Sequence, residues 1–450
     1  MDGDRPNILL IHCHDLGRYL GCYGADIETP AIDALAASGA CFENHFVTAP
    51  QCSPSRGSLM TGRHPHVNGL MGLAHGNWEL HDDERILPQY LGEAGYETHL
   101  FGLQHITGDT DRLGYDHVHS EGNLYPGVSP SVHEANRARN VASVVASTFE
   151  RGAFDAPMFA SIGFFECHRV NEAETDRYSF DPSHYETADP DEIRPLAYLP
   201  DRRGIRQDLA EMCGMVEAID DAVGTIDDAL TERGLDEETL VIFTTEHGIA
   251  FPRAKGSCYD AGIEAALLLR CPGVTAAGSR YDDLVSNVDV LPTILDLLEC
   301  DVPDAVQGRS LYPRLRGETD DSRDHVIASM TWHDMYNPVR AIRTNRYKYI
   351  RNFWHLPKVY LTADIFASEA GREVREAYGV PPRPYEELYD LRETPQEDTN
   401  VAQEPRYQDV RTDLARTLES WMDATDDPVL DSPVEPGDMD AIQEWPHERE

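Results

Sequence analysis

The chain has 450 residues, with 80 Asp or Glu against 38 Lys or Arg, a net charge of −42 at pH 7, and 41% hydrophobic residues. That length and apolar content allow one large core with a smaller one beside it, and they exclude a disordered chain. The surplus acid is spread along the sequence, which excludes nucleic acid or an anionic membrane as a partner held by bulk charge.

No stretch approaches the roughly 18 unbroken apolar residues of a spanning helix, so no membrane segment is expected. The opening MDGDRPNILLI lacks the basic region and cleavage site of a leader, and the 9 cysteines follow no framework spacing. Both features predict a reducing, cytoplasmic setting. Only three lysines occur, Lys255, Lys348 and Lys358. A dispersed acidic surface with so little lysine predicts a halophilic protein whose self-repulsion is screened by high salt.

In chain order, Ile8–Ile11 reads as a first buried strand that runs into His14-Asp15. Thr29-Pro30 and the following IDALAASG predict a helix with Thr29 as N-cap, Pro in the first turn and Gly at the end. Thr98–Phe101 is the next strand and leads through GLQH to His105; Met158–Phe165 leads to His168. QDLAEMCGMVEAIDDAVGTIDDALTERG predicts a long helix, Leu240–Thr244 a strand ending at Glu246-His247, Ala265–Leu269 a further strand, and DVLPTILDLLE a helix. Strand and helix alternation predicts an α/β fold, a large mainly parallel sheet sandwiched by helices, over residues 1–330. Beyond it, VRAIRTNRYKYIRNF predicts an antiparallel hairpin with Thr344-Asn345 at the turn, and Tyr407–Asp423 a final helix. Residues 331–450 are thus expected to form a smaller C-terminal α+β subdomain with an antiparallel sheet. Its acidic tail from Asp426 reads as a loosely ordered surface segment.

Ligands of open α/β sheets bind at the carboxyl ends of the strands. His14-Asp15, His105, His168 and Glu246-His247 all follow strands and are expected to converge there. His14, Asp15, Glu246 and His247 offer two carboxylates and two imidazoles, enough for one divalent cation. Lys255, in FPRAKGSCYDAG, suits a compact charge on an anionic ligand, a role planar Arg fills poorly. In that role its removal would leave stability nearly unchanged. Cys52 lies in QCSPSRGSLMTGRHP among Ser, Pro and Arg, a poor setting for a small core hydrophobe.

Cys52-Ser53-Pro54-Ser55-Arg56, with the GSLMTGRHPHVNG that follows, resembles the C-x-P-S-R signature of the type I sulfatases. These are formylglycine-dependent enzymes of the alkaline phosphatase-like superfamily. NILLIHCHDLG and TLVIFTTEHG resemble the family's two metal-binding strands, and DVLPTILDLLECDVPDAVQGRSLYPRLRG and ELYDLRETPQEDTNVA resemble later segments. The likeness thus covers nearly the whole chain. NGLMGL and HGIAFPRAK are most similar to the sulfamidase (N-sulfoglucosamine sulfohydrolase) branch.

The resemblance implies that a formylglycine-generating maturation enzyme oxidises Cys52 to an aldehyde. Its hydrate, acidified by an adjacent cation, attacks sulfur, expels the alcohol or amine, and releases sulfate by collapsing back. Residue 52 would then border the metal together with His14, Asp15, Glu246 and His247. Arg56 would hold the diol, His105 and His168 would flank the sulfate with one as general acid, and Lys255 would contact a sulfate oxygen. The implied substrate is a small sulfated molecule or carbohydrate, as ester or sulfamate. Calcium is the first choice of metal, and the two imidazoles bring in manganese or zinc.

The sequence departs from the family at three positions: His14 replaces the first of two adjacent acids, Glu246 replaces Asp, and Leu103 replaces a Lys near His105. These departures keep two alternatives open. One is a phosphonate or phosphodiester hydrolase of the same superfamily, which His247 fits; the other is a catalytically silent relative that binds sulfated ligands.

Overall fold

The computed structural model describes residues 5–436 apart from 120–129, 153–155, 173, 174, 176, 319–321 and 381. Its first strands are β1 (Asn7–Cys13), β2 (Ala40–Phe46), β3 (Glu97–Gly102), β4 (His117–Val118) and β5 (Met158–Gly163). A small hairpin follows, β6 (Val170–Glu172) and β7 (Arg177–Ser179). Then come β8 (Thr239–Thr245), β9 (Leu267–Arg270) and β10 (Ser279–Ser286), and last β11 (His325–Trp332), β12 (Tyr336–Thr344), β13 (Tyr347–Asn352) and β14 (Glu386–Asp390).

The main sheet has the order β10–β2–β9–β8–β1–β5–β3–β4. All its pairings are parallel except those of β9, which runs against both β2 and β8. The apolar runs are continuous because both faces are covered. Along β1, Leu9, Ile11 and Cys13 enter one core, while Ile8 and Leu10 enter the other. Val241 and Phe243 of β8 alternate with Leu240 and Ile242 in the same way. Helices Pro30–Ser38, Ala138–Arg151 and Arg203–Glu232 pack on the first face; Cys52–Thr61, Leu87–Glu93 and Val290–Leu297 pack on the second. Each large side chain buried this way contributes about 1.5–3 kcal/mol, so the central strands hold their ends firmly in register.

The second sheet, β11–β12–β13–β14, is wholly antiparallel. One face packs Ile342, Tyr349 and Leu388 on Leu418 and Met422 of the helix Gln408–Ala424. The other joins Val326, Ala328 and Met330 to Phe46, Ile263 and Ala265, which docks it beside the main sheet. The change of pattern expected near residue 330 falls inside β11. Among the described residues no helix is long and apolar enough to cross a membrane.

Three local expectations are corrected. The hairpin turn is Asn345-Arg346 rather than Thr344-Asn345, because β-branched Thr344 stays in β12 opposite Tyr347. Thr29 stands at the N-cap, yet its hydroxyl accepts from Gly21 N–H and donates to Asp33, and makes no cap hydrogen bond. The segment after Asp426 is held down: Asp427 is buried and pairs with buried Arg340 at 2.5 Å, and Trp332 Nε1 donates to the Val434 carbonyl at 2.6 Å. A buried guanidinium needs a counter-charge, and the chain returns to supply it. The acidic residues beyond 436 lie outside the described residues.

Candidate active site

β1, β3, β5 and β8 run parallel, so their carboxyl ends share one edge of the sheet. His14-Asp15, His105, His168 and Glu246-His247 leave the strands there. The loop to His105 closes tightly on β5. A Cβ on Gly102 would sit 2.0 Å from the Gly163 carbonyl oxygen, and one on Gly163 would sit 1.9 Å from that of Leu103, so only glycine fits either position. Asp15 and His105 themselves adopt left-handed backbone, at φ 45° and 54°. Such conformations cost about 1–3 kcal/mol and persist where the surroundings demand them.

Cys52 opens the helix Cys52–Thr61, which is buried along its whole length and ends at Gly62 with φ 69°. Ser55 anchors that helix to β8 by donating to the Glu246 carbonyl, and Asn287 Nδ2 donates to the Ser55 carbonyl at 2.9 Å. Ligand atoms of His14, Asp15, Cys52 and Glu246 all lie within 4.8 Å of one another, and those of His14, Cys52 and His105 do too. His14 Nδ1 is 2.6 Å from Glu246 Oε1. His247 Nε2 is 3.2 Å from both Asp15 Oδ1 and Glu246 Oε1, and 3.5 Å from Cys52 Sγ.

These groups fit a divalent cation. His247 Nδ1 donates to the Gly248 carbonyl at 2.8 Å, which leaves Nε2 as the ring atom available to a metal. That nitrogen faces two carboxylates, a donor set that a positive ion between them would suit. His14 Nε2 and Asp15 Oδ1 are buried without a hydrogen-bond partner. Burial, helped by Arg56 and opposed by Glu246, pulls the His14 imidazole down to about 3, so it stands neutral as a ligand must. Burial alone would raise the Glu246 carboxyl, but His14, Arg56 and His247 hold it well below the usual range. Burial and Glu246 push the Cys52 thiol well above its ordinary value.

The surrounding charges are fixed in place. Arg56 donates through Nε to Glu246 and through Nη1 to His12 Nδ1 at 2.6 Å. Since a guanidinium only donates, His12 Nε2–H faces Ser161 Oγ at 3.3 Å. Lys255 Nζ stands 2.8 Å from Asp15 Oδ2 and 2.9 Å from Asp364 Oδ2. Burial would lower its pKa, but the two carboxylates hold it well above the ordinary lysine value. The His168 ring lies edge-on to His14 at 5.3 Å, and its Nδ1 donates to the Arg169 carbonyl at 2.7 Å, which leaves Nε2 as acceptor. His105 Nε2 meets His75 Nδ1 at 3.3 Å.

Cys52, Arg56, His105, Lys255, His14, Asp15, Glu246 and His247 are therefore gathered in one buried cluster, with His168 half-buried beside it. Leu103, fully buried in the first core, supplies no charge to it. Sequence reasoning missed Asp364, His12 and His75. His12 had a signal, since it lies on β1 two residues before His14, which follows the strand's end. Asp364 comes from the short helix Ala363–Phe366, where nothing local marks it.

The sulfatase profile matches residues 6–300, and a profile described as N-sulphoglucosamine sulphohydrolase, C-terminal, matches residues 246–381. The chain belongs to the sulfatase family, hydrolases that act on sulfate esters. Among individual relatives, the N-sulphoglucosamine sulphohydrolase of Homo sapiens is 28% identical over 475 residues, 95% of this chain and 92% of its own. A solved structure of a protein in complex with its substrate D-glucosamine-2-N,6-O-disulfate has TM-score 0.72 at 18% identity, covering 95% of this chain and 100% of the other. The phosphonate monoester hydrolase of Agrobacterium radiobacter has TM-score 0.70 at 23% identity, covering 94% and 96%. Both structures share the fold.

Proposed function

We propose that this protein hydrolyses a sulfate ester or sulfamate of a small molecule or carbohydrate, using formylglycine made from Cys52 by a separate maturation enzyme. The observation that carries the reading is Cys52 at the N-terminus of a buried ten-residue helix, among ligand atoms of His14, Asp15 and Glu246 within 4.8 Å. Those three residues and His247 would hold one divalent cation beside residue 52. When bound, the cation polarises the sulfuryl group and acidifies a hydroxyl at residue 52.

The protein's own groups supply the rest. The N–H groups that open the helix favour an anion at residue 52. Arg56, clamped by His12 and Glu246, keeps a positive charge beside the nucleophile without freedom to swing away. Lys255 spends two of its three ammonium hydrogens on Asp15 and Asp364 and aims the third at a sulfate oxygen. Burial and Lys255 lower the His168 pKa, so its Nε2 can take the proton given up by the attacking hydroxyl at residue 52 and pass it to the leaving oxygen or nitrogen. His105, backed by His75, orients the sulfate from the other side.

Family likeness favours calcium, and the mixed imidazole and carboxylate donors suit manganese or zinc as well. The nine cysteines are unpaired and support a reducing, cytoplasmic setting; the acidic surface supports a halophilic one. A second reading, phosphonate or phosphodiester hydrolysis, is favoured by His247, whose Nε2 sits among Asp15, Glu246 and Cys52. The test is a panel of aryl sulfates, N-sulfoglucosamine and aryl phosphate diesters, run on enzyme matured in co-expression and on Cys52→Ala. Sulfate or sulfamate turnover that vanishes in Cys52→Ala is expected. Preference for phosphate diesters selects the second reading, and turnover of nothing in the panel leaves a sulfated-ligand binder.

A further inference from the structure

At the β4 edge of the main sheet the sequence carries Glu97-x-His99 on β3 and His117-x-His119 on β4 and just after it. Residues two apart on a strand share a face, and His99 pairs directly with His117 across the parallel strands. All four side chains therefore belong to one face. His117 Nε2 is 2.8 Å from Glu97 Oε1, and His99 Nε2 is 3.5 Å from the same oxygen. Ligand atoms of Glu97, His99 and His117 lie within 4.8 Å of one another. His99 Nδ1 is 3.0 Å from His119 Nε2, and the His99 and His119 rings stack at 5.3 Å.

We propose that Glu97, His99 and His117 form a second divalent-cation site of the zinc class, with His119 as the positioning residue behind His99. Two imidazoles and one carboxylate are an established zinc donor set, with the fourth position left to water. An open cleft of ≈ 500 Å³ lies over the cluster, bordered by Ser143, Ser147, Thr148 and Arg151, and gives water that access. A metal-bound histidine ordinarily engages its other ring nitrogen in a hydrogen bond, and His119 provides this for His99. His99 stands three residues before the end of β3, about 10 Å along the strand from the catalytic edge.

The site has a mechanical consequence. β4 has only two residues and, among the described residues, pairs with β3 alone. An ion shared by Glu97, His99 and His117 would latch that strand to the sheet. Because the three ligands meet only in the folded pairing, binding stabilises the fold by mass action.

The test strips the full chain with a chelator, dialyses it against zinc, and measures bound equivalents and Tm with and without zinc. Wild type is expected to retain one more equivalent than His117→Ala, whatever the catalytic centre retains, and to gain more in Tm. His117 is an exposed edge residue and Glu97 is half-buried, so Glu97→Gln checks the same loss independently of how one variant folds. Aryl sulfatase activity should be unchanged in both. His119→Ala should keep the equivalent but bind it about 10–100-fold more weakly. Equal stoichiometry and equal Tm gain in wild type, His117→Ala and Glu97→Gln would overturn the site. Unchanged affinity in His119→Ala would overturn the positioning role.

Discussion

Lys255 Nζ donates to Asp15 Oδ2 across 2.8 Å, with both side chains buried. The residue assigned to grip sulfate is thereby joined to a residue assigned to hold the metal. Asp364 Oδ2 completes the arrangement at 2.9 Å, so one ammonium offsets two buried carboxylates.

Removing Lys255 should therefore damage both activity and stability. Breaking a buried ion pair by deleting one partner costs about 3–5 kcal/mol, because the remaining charge is stranded. Lys255→Ala is expected to lower stability by that order and to lower kcat/KM by about 10²-fold or more, the scale of a charged contact in a dry site. Lys255→Arg should recover only part of each, since a planar fork cannot occupy the same point. Urea unfolding and steady-state kinetics on the three proteins check this. Stability unchanged in Lys255→Ala would return the residue to the purely ligand-gripping role expected from sequence.

Glu246 meets His14, His247 and Arg56 at once. Chelation of the matured enzyme should abolish sulfate hydrolysis, and a divalent cation should restore it, with calcium, manganese and zinc compared in parallel. Glu246→Gln keeps the shape and removes the charge. It should bind the restoring ion far more weakly and lose at least about 10²-fold in kcat/KM. Metal analysis after dialysis reads the first effect, and full activity in the chelated wild type would contradict the metal assignment.

Asp427 should contribute to the acid sensitivity of the fold. Burial would raise its carboxyl, but Arg340, bonded at 2.5 and 2.8 Å, holds it below the ordinary value. A depressed folded-state pKa favours the ionised form in the fold. Its contribution is present above the unfolded value of about 3.9 and is lost as pH falls through the lower folded value. Asp427→Asn should cost about 3–5 kcal/mol at neutral pH by stranding Arg340. It should also flatten the loss of stability below about pH 4. Parallel acid limbs in wild type and variant would show that the pair does not control them.

The dispersed acid gives a salt prediction. Raising KCl from about 0.1 M to 1 M shortens the screening length from about 10 Å to 3 Å. Tm should climb over that range, and a flat or falling curve would contradict a halophilic surface.

Much of this was visible in the sequence. β1 and β8 are apolar runs because both faces are buried, and their ends showed where the chemistry begins. Cys52, Arg56 and the strand-end residues followed from that and from the signature. Long-range partners were hidden. Asp364 lies 109 residues beyond Lys255, and Asp427 lies 87 beyond Arg340, in stretches with no periodic pattern. The scarcity of lysine does not by itself mark Lys255 as a ligand-binding residue. Lys348 was kept as well, fully buried against Asp260 at 2.6 Å and Glu397 at 3.4 Å on the second sheet. A retained lysine here marks a need for a compact buried cation, in a site or in a scaffold alike.

The nucleophile assignment is reached most directly by mass spectrometry of the peptide containing residue 52, taken from active protein purified from its own cells. An aldehyde at residue 52 is expected, present in a fraction that rises and falls with specific activity across preparations. Fully active enzyme whose residue 52 is uniformly an intact cysteine thiol would contradict it.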